Sequence, residues 1–122
     1  MFHVTAERTI CIAHGGADDR ALHGHNWRIR ATLSAPALGP RGYVVEPKAL
    51  EAELWTVVEP VDHRRLEDLP FLGEVPATAA GLAGWIAEAL TARFASDRVH
   101  VARVDVSDGT ATTSSWTPDP TR

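Results

Sequence analysis

His25-Asn26-Trp27-Arg28-Ile29-Arg30-Ala31-Thr32-Leu33 alternates without a break between two kinds of residue. The odd positions hold His, Trp, Ile, Ala and Leu, the even ones Asn, Arg, Arg and Thr. Successive side chains of a strand point to opposite faces, so a period of two predicts a strand with one apolar and one polar face. A half-buried strand of this kind belongs to an antiparallel sheet, because parallel strands are covered on both sides and read as unbroken apolar runs. Working backwards, Phe2, Val4 and Ala6 alternate with His3 and Thr5, and Ile10, Ile12 and His14 again share a face. This predicts a strand over 2–13 with a kink. Gly15-Gly16-Ala17-Asp18-Asp19 between the two strands is a loop by composition, and Pro36 to Gly42 supplies the next turn.

Further along, the period changes. Leu50, Leu54, Val57 and Val58 fall at i, i+4, i+7 and i+8, a helical stripe over 47–58 that opens on Pro47 and stops at Pro60. Leu82, Trp85, Ile86, Ala89, Leu90 and Phe94 predict a second helix over 79–94, with Thr78 as its N-cap. Residues 61–76 are polar and interrupted by proline, and read as a loop. Val99 to Val106 is a valine-rich strand, and Thr110 to Trp116 a last short one after the turn at Asp108-Gly109. The order ββααββ predicts an α+β fold, a four-stranded antiparallel sheet with two helices on one face. One domain over 1–116 is expected, with 117–122 a disordered tail.

The 122 residues carry a net charge of −4, without a long basic run, which disfavours a nucleic-acid partner. A single cysteine, Cys11, excludes an internal disulfide and suits a reducing cytoplasm. The N-terminal stretch lacks the pattern of a signal peptide, and no apolar run reaches the ~20 residues of a membrane helix. A cytoplasmic protein with no membrane partner is expected. Its small size favours self-association.

Two places carry chemistry. His23 and His25, two apart on a strand, present their imidazoles to one side. If the first two strands form a hairpin, His14 arrives beside them. Three imidazoles around one point match a catalytic zinc site whose fourth position is open. Histidines at a loop edge are also simply polar surface, and spacing alone leaves both readings standing; His3 and His100, each alone on a strand, receive no role. The second place is Val61-Asp62-His63-Arg64-Arg65-Leu66-Glu67-Asp68-Leu69. Asp62 beside His63 suits a carboxylate–imidazole pair for proton transfer, against the plainer reading of a solvated loop.

At these residues the sequence resembles the family of 6-pyruvoyltetrahydropterin and 6-carboxytetrahydropterin synthases. The matching pieces run in order: "IAHGG" with His14, "LHGHNW" with His23 and His25, "GYVVEPKAL" (42–50), "VDHRRLEDL" (61–69), "ATAAGLAGWIAEAL" (77–90) and "VHVARVDVSDG" (99–109). The resemblance implies the tunnelling fold, trimers stacked into hexamers, active sites between protomers, and Zn2+ on His14, His23 and His25. It also implies a dihydropterin-type substrate, with Asp62 and His63 assisting proton transfer and an acid at the end of the third strand holding the pterin ring. The sequence departs from the family pattern at several points. The cysteine four residues before the first histidine of His-Gly-His is replaced by Asp19, and the loop after His14 is short. The glutamate of the second helix entry is absent from Ala77-Thr78-Ala79-Ala80, and the anchoring acid is Asp108 instead of a glutamate. Cys11 reads as a small buried hydrophobe and not as the replacement. Asp19 is a candidate base or a loop residue, Asp108 a candidate pterin anchor or a turn aspartate. Arg28, Arg30, Arg64 and Arg65 are candidates for substrate phosphates, or solvated surface charges.

The expectation is a zinc-dependent carbon–oxygen lyase or cyclase that abstracts a proton next to a carbonyl, or cleaves the pterin side chain in an aldolase-like step. Two alternatives stand beside it: the same zinc scaffold acting on a non-pterin substrate of specialised metabolism, and a non-catalytic zinc-binding oligomeric module.

Overall fold

The computed structural model describes residues 1–14 and 23–120. Strand β1 (Phe2–His14) and strand β2 (His23–Ala35) pair antiparallel along their whole length, from Phe2 opposite Ala35 to His14 opposite His23. The expected kink in β1 is absent. What looks like a break in the alternation is Arg8, which keeps the parity of Ala6 and Ile10 and lays its guanidinium 4.0 Å from the ring centroid of Trp55. A charge is accepted on the helix-facing side because its planar cation stacks on an aromatic face.

Helix α1 (Pro47–Val58) buries Leu50, Leu54, Val57 and Val58, the stripe read from the sequence. Residues 61–76 are not a simple loop. Arg64–Arg65 forms a two-residue strand, β3, parallel to β1 at Ile12 and Ala13. Short 3₁₀ turns over Glu59–Val61, Leu66–Asp68 and Pro70–Leu72 bury Val61, Leu66 and Leu72. Helix α2 (Ala79–Phe94) starts as expected at Thr78, whose hydroxyl accepts the Gly81 N–H at 3.0 Å. Strands β4 (His100–Ser107) and β5 (Thr113–Trp116) complete the sheet, in the order β3-β1-β2-β4-β5.

The sheet is thus five-stranded and mixed instead of four-stranded and antiparallel, and the chain order is ββαβαββ. A two-residue strand of consecutive arginines has no room to show alternation, so the sequence carries no signal for it.

Both helices cover one face. Ile10, Ile12, Trp27, Ile29, Ala31 and Leu33 are buried beneath them, at 2% exposure or less. Each large side chain so buried is worth about 1.5–3 kcal/mol. The β2–β4 register shifts between Thr32 and Leu33, where Ala102 is skipped. That bulge is why Val101, Val104 and Val106 all reach the core despite their spacing. The other face is polar, with Glu7, Arg28, Arg30 and Arg103 exposed on it.

Candidate active site at the end of the hairpin

The backbone register sets the histidines together. His14 is directly opposite His23, and His25 is opposite Ile12, one rung of the same parity along. His25 is exposed at this end of the sheet. The side chains of His14 and His23 lie outside the described set, as do residues 15–22 with Asp18 and Asp19, so the three-histidine reading rests on the register. Among the described residues, no three His, Cys, Asp or Glu side chains form a metal-binding group.

The turn between β4 and β5 closes against His25. Gly109 has φ +87°, and a Cβ there would stand 3.4 Å from His25 Cβ and 3.4 Å from the Asn26 carbonyl oxygen. Glycine satisfies both the positive φ and the close approach. Asp108 therefore sits one residue from a glycine packed on His25. Its Oδ1 accepts the Thr110 N–H at 3.1 Å and the Thr110 hydroxyl at 2.6 Å. Through Oδ1 the carboxylate shapes this turn.

Asp62 and His63 do form a pair. Nδ1 of His63 lies 3.0 Å from Oδ1 of Asp62; the imidazole is 78% exposed and the carboxylate 19%. Neighbours on a regular strand face apart, but His63 has φ +60°, which turns its side chain back towards Asp62. The backbone of Cys11 holds both residues. Its N–H donates to Asp62 Oδ1 at 2.9 Å, and its carbonyl accepts the His63 N–H at 2.7 Å. A neutral imidazole that carries its proton on Nδ1, beside the carboxylate, keeps Nε2 as an acceptor. A carboxylate–imidazole pair of this kind is able to take part in proton transfer. Cys11 itself is half-buried, with Sγ 3.7 Å from where a Cβ on Gly24 would be. It lies on the face opposite Ile10 and Ile12, as expected, but is not fully buried.

β3 and β2 are separated by β1, two strand spacings or roughly 10 Å. Within one chain, then, the Asp62–His63 pair and His25 flank β1 from opposite sides. Arg64 and Arg65 follow the pair on the sheet edge. Arg65 donates to Glu67 at 3.2 Å, whereas Arg28 and Arg30 belong to the polar face of β2. The role of Cys11 as a backbone clamp had no sequence signal, since it depends on the parallel pairing of β3. The contact of Gly109 with His25 had one, the Asp108-Gly109 turn dipeptide, but which residue the turn would meet was not legible.

Two helices on one face of a five-stranded mixed sheet, with histidines set together at the hairpin end, define the class of fold. The model of the 6-pyruvoyl tetrahydropterin synthase family matches residues 2–118, and the chain belongs to that family. No curated protein matches it in sequence. Among solved structures, it is similar to 6-pyruvoyl tetrahydropterin synthase of Caenorhabditis elegans, with 22% identity, 98% of each chain covered and a TM-score of 0.76. It is also similar to the Plasmodium vivax synthase, at 15% identity over 97% of this chain and 98% of that one, TM-score 0.73. A P. vivax variant described as a catalytic residue mutant, glutamate replaced by alanine, matches at 16% identity over 97% and 98%, TM-score 0.72. At these identities the likeness shows the shared α+β tunnelling fold. No helix among the described residues is long and apolar enough to cross a membrane.

Proposed function

We propose that this protein is a zinc-dependent lyase of the pterin-synthase type, acting on a dihydropterin with an oxygenated side chain by removing a proton next to a carbonyl. The observation that carries the reading is the hairpin register, which sets His14 opposite His23 with His25 on the next rung of the same parity. Three imidazole ligands suit zinc and leave its fourth position for substrate or water. Zinc bound there would supply positive charge against the oxygen that becomes enolate-like as the proton leaves.

The chain's own residues handle the proton. The exposed imidazole of His63 takes part in its transfer, and Asp62, 3.0 Å from Nδ1, orients the ring. Asp19 stands at the position of the missing cysteine and is the candidate base. The P. vivax relative described as a catalytic residue mutant has lost a glutamate, which supports a carboxylate in such a role. Asp108 is the candidate anchor for the pterin ring, beside His25 through Gly109. Because Asp62–His63 and His25 flank β1 from opposite sides, the reading includes a homo-oligomer, a trimer or hexamer, in which one copy's pair meets another copy's histidines. A cytoplasmic location goes with it.

The test is turnover of dihydroneopterin triphosphate by the zinc-loaded protein, with products separated and identified. A pterin that has lost triphosphate, or one with a shortened side chain, is expected, and tells which bond breaks. No product from protein with zinc confirmed bound would sink the pterin reading.

A further inference from the structure

The polar face of the sheet, away from both helices, carries a shallow cavity of about 270 Å³ lined by Arg28, Arg30, Arg103, Asp105, Ser107 and Thr113, with Glu7 at its margin. Its charges are not equally engaged. Asp105 Oδ1 accepts from Arg103 Nε at 2.7 Å and from the Ser115 hydroxyl. Arg30 lies between two acids in register, Glu7 on β1 and Asp105 on β4, and its Nε is 3.9 Å from Glu7. Arg28 differs. Its neighbours on the same rung are Thr9 on β1 and Ser107 on β4, and Ser107 is paired in turn with Thr113 on β5. Directly opposed residues of antiparallel strands project to the same face. One rung across four strands thus presents a guanidinium and three hydroxyls, with no carboxylate. Among the described residues no hydrogen bond or ion pair engages Arg28.

We propose that this rung is an oxyanion site, with Arg28, Ser107 and Thr113 binding a phosphoryl group. A guanidinium fork gives two parallel N–H donors to a tetrahedral anion, and the flanking hydroxyls each give one more. With three arginines against two acids, the cavity keeps a positive excess after Asp105 and Glu7 are satisfied. The site does not depend on the zinc reading: Arg28 has the strand parity opposite to His25, and its rung faces away from the helices.

The test is a titration of the full chain, followed by NMR at constant ionic strength so that general screening is held fixed. The probes are inorganic phosphate, glycerol phosphate and, as a control, chloride. Phosphate or glycerol phosphate is expected to shift the Arg28 side-chain Nε–H and the amides of Ser107 and Thr113, saturably, while chloride does not. Saturation by inorganic phosphate identifies the free anion as sufficient; saturation by glycerol phosphate alone identifies the phosphoryl group of a metabolite. Arg28→Gln is expected to weaken binding at least about tenfold, as loss of a charged donor does, while Arg30→Gln weakens it less. Both variants replace exposed side chains and leave thermal unfolding as a check on the fold. No saturable shift with either phosphate, or equal affinity in Arg28→Gln, overturns the proposal.

Discussion

His63 takes φ +60° and still carries a full side chain. A non-glycine residue in that region costs about 1 kcal/mol or somewhat more, with histidine among the more tolerant types. Two bonds to the Cys11 backbone hold the conformation in place. Glycine at this position would lose the imidazole and relieve the backbone, whereas alanine would lose the imidazole and keep the strain. His63→Gly is therefore expected to unfold at higher urea than His63→Ala, by about 1 kcal/mol. In the proposed reaction both are expected to lower kcat by about 10²- to 10⁴-fold with zinc content unchanged. Undiminished turnover in His63→Ala would remove the residue from the mechanism. Asp62 separates its two duties in the same way. Asp62→Asn keeps an oxygen for the Cys11 N–H and is expected to unfold within about 1 kcal/mol of the wild type. Asp62→Ala leaves that N–H unpaired and is expected to lose about 2 kcal/mol, readable in the same urea curves.

At the scale of elements, the entry of α2 is the tightest point. A Cβ on Gly81 would stand 2.0 Å from the Pro76 carbonyl oxygen, a backbone atom that cannot turn aside. Gly81→Ala is expected to destabilise the protein by about 3 kcal/mol, since the loop must move or the helix start later. Thr78→Ala, which removes only the cap, is expected to lose about 1 kcal/mol. Equal losses would mean that the close approach is relieved elsewhere. Both helices were legible because four to six apolar residues repeat at 3.6 and the caps mark their ends. β3 was not legible, because its two residues gain their strand character only from the edge of β1. A cation on the helix-facing side of β1 was not legible for a related reason: the ring of Trp55, 47 residues away in the chain, is what makes Arg8 acceptable there.

For the whole molecule, zinc binding at the hairpin end would show itself without any substrate. A metal that binds only the folded chain stabilises it by about 4 kcal/mol at a thousand times its dissociation constant. Zinc is expected to raise the unfolding temperature of the wild-type protein, and a chelator to reverse the rise. The variants His14→Ala, His23→Ala and His25→Ala are each expected to lose most of that increment. An undiminished increment in all three would mean that the histidines at the hairpin end do not hold the metal.

Local period and local punctuation are properties of the sequence by itself, and they determined the two helices and the four longer strands. Alternation in β2 predicted the sheet and its two faces, the 3.6-residue stripes set both helices, and the family motifs pointed to the chemistry-bearing residues by name. Only the tertiary structure decided which of them meet. The full pairing of β1 with β2 brings His14 opposite His23, and the parallel edge strand lets the Cys11 backbone hold Asp62 against His63. The β4–β5 turn closes Gly109 onto His25. These contacts join residues 9 to 84 positions apart, and strand register is set by the summed burial of a whole face, a quantity no short stretch of sequence contains.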